Sequence, residues 1–206
     1  GHIIAISAVG SLKEEIKPLD IVIIDQFIDR TKTRDNTFFG DGIVAHTTFA
    51  DPICPRLASI LYETTKKVTS NVHKGGTYIC MEGPLFSTRA ESILYRQWGG
   101  SVIGMTNLQE AKLAREAEIC FSTLAMATDY DCWHEEKETV TVDMIIANLL
   151  KNVENAKKIV KEAIKLIPVK RNCSCMRALD GAIISQKDLV PEETKKRLEL
   201  IVGKYM

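Results

Sequence analysis

The strongest constraint on the fold lies in Ser122–Trp133, STLAMATDYDCW, where a run of strand character stops at two carboxylates two residues apart. The first half is apolar and small, which suits a buried strand. In extended backbone, residues i and i+2 project to the same side, so Asp129 and Asp131 would share one side at the strand's end. Two carboxylates there lose water and repel each other. Such a pair can accept hydrogen bonds from a ligand amine, or hold a proton for a leaving group. In open α/β sheets the carboxyl ends of the strands are where ligands sit. The other reading of an isolated Asp-x-Asp is a solvated turn, where Asp is common. The rest of the chain decides between them.

That chain alternates strand-like and helix-like stretches. His2–Ser7 reads as a buried strand ending in a small-residue turn at Ala8–Ser11, and Ile21–Ile24 as a second. Asp25–Ile43 is polar and aromatic and reads as a long loop, of the kind that tends to be functional or interfacial. Cys54–Val68 predicts a helix with Pro55 in its first turn. Gly76–Glu82 predicts a strand closed by Gly83-Pro84. Ser87–Trp98 predicts an amphipathic helix with Ser87 or Thr88 as N-cap and Glu91 at capping-box distance from Thr88. Ser101–Met105, Gln109–Glu118 and Ile119–Ala127 continue the alternation as strand, helix and strand. A long helix follows from Val142 to Ile167, stopped by Pro168, then short helices over Met176–Ile184 and Glu192–Val202. The expected fold is α/β, one domain over residues 1–206, with a polar, amphipathic helical tail over 185–206.

The charges, 27 basic and 27 acidic, leave no net pull toward nucleic acid or anionic lipid. No apolar run is long enough to cross a membrane, and the first residues lack the basic start of a signal peptide. Of the six cysteines, Cys54, Cys80, Cys120 and Cys132 stand singly in apolar or strand-like segments and read as buried thiols of a reducing compartment. Cys173-Ser174-Cys175 lacks the second pair that a zinc site needs, which leaves incidental thiols, a redox pair or a disulfide with another cysteine.

Four strand ends carry unusual residues: Ser7-Ala8 with Gly10, Glu82–Ser87, Gly104-Met105-Thr106, and Asp129-Tyr130-Asp131. A hydroxyl beside a free backbone amide, as at Ser7-Ala8, can donate to a phosphate oxygen, and Thr106 can do the same. Phe86 after a Gly-Pro turn can stack on a flat ring. Singly, Ser7 and Thr106 are also ordinary backbone caps and Phe86 an ordinary core residue. Four together at the ends of one sheet point to a site for a phosphate and an aromatic base.

The strings IDQFIDRT (24–31), EGPLFSTRAES (82–92), GMT (104–106) and ATDYDCW (127–133) resemble the methylthioadenosine phosphorylases, a branch of the trimeric purine nucleoside phosphorylase family. The resemblance runs from about residue 1 to the long helix, and more loosely through the Cys-Ser-Cys segment. It implies an α/β sandwich with a central mixed, partly barrel-like sheet flanked by helices. It also implies phosphorolysis of 5′-methylthioadenosine to adenine and 5-methylthioribose 1-phosphate by a cytoplasmic homotrimer of purine and methionine salvage, a pentosyltransferase. Phosphate would be co-substrate, and no metal or organic cofactor is implied.

By position, the resemblance implies phosphate binding at Ser7, Ala8 and Thr106. Met105 would lie against the ribose, and Phe86 beside the adenine with Met81 nearby. Asp129 and Asp131 would face the purine N7 and N6 edge as the catalytic pair, and Tyr130 between them would also bind substrate. Ser87 and Val142 would set specificity, and Val142 with Ile145 would line the methylthio pocket, closed by His46 of a neighbouring subunit. The chain departs from the family at Leu85, usually Arg, and in Asn107-Leu108-Gln109-Glu110 after the Gly-Met-Thr. It also lacks the family's glycine-rich phosphate loop and HGR-type stretch, and it opens abruptly in a strand. The expectation is a chain without the family's N-terminal segment, and with little activity by itself. Other readings are a nucleoside phosphorylase of another specificity and a catalytically silent nucleoside-binding protein. The apolar pair Val142 and Ile145 disfavours a substrate with a 5′-hydroxyl.

Overall fold

The computed structural model describes residues 1–134 and 142–206, apart from the side chains of Val142 and Met144. Seven strands form one mixed sheet: β1 (His2–Ser11), β2 (Ile21–Ile23), β3 (Gln26–Arg30), β4 (Val72–Lys74), β5 (Thr77–Met81), β6 (Gly100–Gly104) and β7 (Cys120–Tyr130). Their order is β3-β5-β6-β1-β7-β2-β4. β3, β5 and β6 run parallel, and so do β1 and β7. β1 meets β6 antiparallel, and β2 meets β7 antiparallel. The helices are α1 (Pro55–Val68), α2 (Arg89–Gln97), α3 (Leu108–Glu116), α4 (Val142–Leu166), α5 (Glu192–Arg197) and α6 (Glu199–Val202).

β7 is central because both its faces are covered, as its near-continuous apolar run requires. Cys120–Thr128 is buried throughout. Leu124 and Met126 pack with Ile21, Leu61 and Ile159 beneath α1 and α4. Ala125 and Ala127 face the opposite way, among Val9, Tyr78, Val102 and Leu108. Phe121 is covered by Ala111 and Ala114 of α3. This is the period of two expressed as two separate cores.

Several boundaries differ from expectation for tertiary reasons. β1 does not stop at Ser7: Gly10 and Ser11 pair with Ile103 and Val102 of β6, so sheet pairing overrides the small-residue turn signal. β7 likewise continues through Asp129 and Tyr130, opposite Gly10 and Ser11, with the register slipping by one residue at Thr128. The expected loop over 25–43 contains β3, paired residue for residue with β5. β4 is a three-residue edge strand with no counterpart in the sequence reading. The capping box is present, with the Thr88 hydroxyl accepting from the Glu91 amide and the Glu91 carboxylate accepting from Thr88 N–H at 2.8 Å.

Where a helix was expected over 176–184, a 3-10 turn spans Ser174–Arg177 and the chain then pairs back, Ala45 bridging to Ile183. The last expected helix is broken into α5 and α6 at Leu198. Val190, Leu198 and Val202 of this tail close over Ile43, which explains the tail's amphipathic pattern. Cys132, expected among the buried thiols, is exposed. Among the described residues no helix is long and apolar enough to cross a membrane.

Candidate active site

β1 and β6 run antiparallel, so the residues just beyond the end of β6 meet the middle of β1. The Ser7 hydroxyl lies 2.9 Å from Tyr78 Oη and 3.2 Å from Thr106 Oγ1. Three hydroxyls from three strands or strand ends thus converge, and burial pushes the Tyr78 phenol upward in pKa. Thr106 is exposed and stands two residues before α3, at the positive end of that helix. Ala8, next in β1, belongs to the opposite face of the strand. It lines an apolar groove of about 520 Å³ between β1 and α4, with Ile6, Met126, Leu149, Val153 and Ile164.

The backbone around these hydroxyls is shaped by residues without room for alternatives. A Cβ at Gly104 would lie 2.8 Å from Tyr78 Cζ, with the phenol oxygen closer still. A Cβ at Gly83, which has φ +70°, would lie 2.6 Å from the Met105 sulfur. Asn107 follows Thr106 at φ 91°, unusual for a residue with a side chain. Thr123 holds it, its hydroxyl donating to Asn107 Oδ1 at 3.0 Å.

Arg34 joins the ends of β5 and β6. Its guanidinium donates to the carbonyls of Met81 (3.2 Å) and Glu82 (2.6 Å), and also to that of Met105. Glu82 in turn accepts from the Lys32 amide at 2.8 Å and the Thr33 hydroxyl at 2.6 Å, so the loop after β3 and the loop after β5 are one unit. Met81 and Ser87 meet across that loop, with 3.8 Å between the hydroxyl and the sulfur. Phe86 is 80% exposed at its tip, free to cover a ligand rather than fill a core.

At the end of β7, Asp129 accepts from the Thr128 hydroxyl at 2.6 Å. Asp131 lies beyond the last strand residue, its amide donating to Ser11 O at 2.9 Å and its carboxylate accepting from the Ser92 hydroxyl of α2. Burial raises the Asp131 pKa, and Ser92 opposes the rise. Tyr130 alternates to the other side of the strand, its hydroxyl donating to Glu14 O at 3.1 Å and its ring stacked on His134 at 4.3 Å. α4 docks beside this strand end, with Asn148 and Asn152 donating to the carbonyls of Thr128 (2.9 Å) and Ala127 (3.0 Å). Ile145, one turn earlier, is half-buried, and the side chain of Val142 lies outside the described residues. His46 is exposed on the loop before α1, its amide donating to Ala182 O at 2.9 Å, away from the other candidates within this chain.

The strand-end reading therefore brings together Ser7 with Thr106, Met81 with Ser87, and Asp131 with the end of β1. It missed Tyr78, Ser92 and Arg34. Arg34 offered one signal, a cation inside a polar loop between two strand candidates.

Hydroxyls gathered near a helix start, an exposed aromatic side chain and carboxylates at the neighbouring strand end make a candidate ligand site of the kind that enzymes of an α/β sheet carry at their strand ends. Residues 1–165 match the phosphorylase superfamily model, and the chain belongs to that family. It is 61% identical over 204 residues to the S-methyl-5'-thioadenosine phosphorylase of Koribacter versatilis, covering 99% of this chain and 70% of that protein. It is 60% identical to the enzyme of the same name from Geobacter sulfurreducens, covering 100% and 72%. The fold superposes on the crystal structure of a methylthioadenosine phosphorylase from an antarctic soil metagenomic library with a TM-score of 0.92, at 48% identity over 97% of this chain and 71% of the other. A Schistosoma mansoni adenosine/methylthioadenosine phosphorylase mutant in complex with methylthioadenosine superposes with a TM-score of 0.79, at 33% identity over 91% and 72%.

Proposed function

We propose that the protein catalyses phosphorolysis of 5′-methylthioadenosine, giving adenine and 5-methylthioribose 1-phosphate. The observation that carries the proposal is the pair of Ser7 and Thr106 hydroxyls, 3.2 Å apart at the start of α3, within a chain alike over its whole length to proteins of that name. Hydroxyl donors, helix amides and the dipole suit an inorganic phosphate. Ala8 contributes its backbone amide.

In the reaction the bond from C1′ to N9 breaks and a bond from C1′ to a phosphate oxygen forms. Positive charge develops on the ribose and negative charge on the purine. The phosphate stabilises the first and is the nucleophile. Met105, seated over Gly83, provides an apolar floor for the ribose. Phe86 covers the adenine beside Met81 and Ser87. Asp129 delivers a proton toward N7, directly or through a water, and Asp131 accepts from the 6-amino group. No group beyond phosphate is required. Ile145 lines the methylthio pocket, with Ser87 setting specificity and Tyr130 bracing the strand end. His46 closes that pocket of a neighbouring subunit in a homotrimer, in a reducing, cytoplasmic setting.

The test is release of adenine from methylthioadenosine by the purified protein, with and without inorganic phosphate. Phosphate-dependent release is expected. Release independent of phosphate would make the protein a hydrolase, and binding without release would make it a nucleoside-binding protein. Adenosine belongs in the same assay, because one similar structure is named for both nucleosides. Equal rates on the two would remove the role given to the methylthio pocket. A monomer mass by light scattering at micromolar concentration would remove the trimer.

A further inference from the structure

Cys54, Cys120, Cys173 and Cys175 come from three distant parts of the chain, yet their sulfurs all lie within 4.8 Å of one another. Cys54 caps α1, Cys120 opens β7, and Cys173 and Cys175 flank and enter the 3-10 turn. The sequence offers a Cys-x-Cys with no second pair; the fold supplies that pair. We propose that these four cysteines bind one zinc ion as a closed structural site, at the end of the sheet where β7 begins, remote from the candidate active site.

Geometry carries the proposal. Zinc–thiolate bonds of about 2.3 Å in a tetrahedron place neighbouring sulfurs about 3.8 Å apart. The closest pair here, Cys120 and Cys173, stands at 3.2 Å and the widest within 4.8 Å, so a movement of about 1 Å or less per sulfur completes the site. Pairwise disulfides need only two separate close approaches. A mutual convergence of four is what a tetrahedral ion requires. Cys54, Cys120 and Cys175 are buried and Cys173 is half-buried, as befits a structural site without an open coordination position.

Cys54 caps the start of α1, where the positive end of the helix favours a thiolate. Arg56 and Arg171 line a small cavity with Cys54, Cys120 and Cys173, where they offset the excess negative charge of four thiolates on a divalent ion. Arg171 is fixed by donating to the Glu118 carbonyl. Binding releases up to four thiol protons, so zinc affinity should rise with pH.

The experiment loads the reduced full chain with zinc, removes the excess, and measures metal and thiols per chain. One zinc per chain is expected, with exposed Cys132 titrating in the folded protein and the full count of six thiols reached only after unfolding with a chelator. Cobalt(II) in place of zinc should give the intense visible bands of a tetrahedral thiolate complex. The double substitution Cys173→Ser and Cys175→Ser should abolish both. If it does not fold, the cobalt spectrum of the parent protein decides alone. Six free thiols with no retained metal would overturn the proposal, as would two or four thiols missing until a reductant is added, which would assign the cluster to disulfides.

Discussion

Gly104→Ala tests whether the hydroxyl cluster is held by packing as tightly as its geometry implies. The new methyl would stand 2.8 Å from Tyr78 Cζ, nearer to its oxygen, and 3.3 Å from Val9 Cγ1. Ordinary carbon contacts begin near about 3.5 Å, so the ring must withdraw by roughly 1 Å. Tyr78 is completely buried, with the Phe27 ring centroid 5.7 Å away, so there is no free volume to receive it. Overpacking of this kind costs about 1–3 kcal/mol. Withdrawal also breaks the 2.9 Å contact with Ser7 and strands a buried hydroxyl, a further 1–3 kcal/mol or so. Because the two losses share one movement they overlap, and about 2–5 kcal/mol is expected in urea unfolding. The KM for phosphate should rise with it, since Ser7 loses its partner. Tyr78→Phe alone should cost about 1 kcal/mol. In that background Gly104→Ala should cost at least 1 kcal/mol less than in the parent, roughly, because the closest clash is gone. A change within about 0.5 kcal/mol in both backgrounds would refute the reasoning, since the methyl would then fit without moving the ring.

Arg34→Met removes three donations to backbone carbonyls, leaving them partly desolvated; stability should fall by about 2–4 kcal/mol and kcat/KM by tenfold or more. Arg34→Lys should rescue poorly, since a point charge cannot span three carbonyls, and full rescue in steady-state kinetics would count against the clamp. Thr88→Ala should lower the unfolding free energy by about 1 kcal/mol through loss of the α2 cap. Asp131→Asn should lower kcat/KM for methylthioadenosine roughly ten- to hundred-fold and narrow its lead over the 6-oxo analogue, because a charge-assisted acceptor becomes a donor. Its stability effect runs the other way. Burial raises the folded pKa of Asp131, so its stabilising effect is complete below the unfolded value of about 4 and is lost as pH rises through the folded value. The variant should therefore gain in melting temperature relative to the parent as pH rises from 4 to 7, and a constant difference across that range would show that this carboxyl is not desolvated.

The parts of the fold legible in the sequence are those whose signal is local. Cys120–Thr128 is apolar or small throughout because both its faces are buried, and such a run can be little else than a central strand. The α2 capping box is legible for the same reason: all its atoms lie within four residues. β3 and β4 escaped because short, half-exposed edge strands carry no such pattern, and their pairing with β5 and β2 is decided from elsewhere. The candidate site divides along the same line. Ser7, Thr106 and the two aspartates stand at strand ends that can be counted along the chain. Tyr78, Ser92 and Arg34 act across 71, 39 and 71 positions, to Ser7, Asp131 and Met105.

Gly104 gathers both kinds of information in one residue. Within Ser101–Met105 it reads as an interruption in a strand, a place that any small residue could occupy. Its meaning comes from Tyr78, whose phenol fills the space that a side chain at 104 would take and thereby reaches Ser7. The cysteines repeat the pattern. Cys173 and Cys175 read by themselves as a pair without partners, while Cys54 and Cys120 look like two unrelated core thiols until the start of α1 meets the start of β7. In each case a residue that is unremarkable in its own segment is constrained by one far along the chain. Substituting the distant partner, Tyr78 for Gly104 or Cys54 for the Cys-x-Cys pair, should therefore release the constraint on the local one.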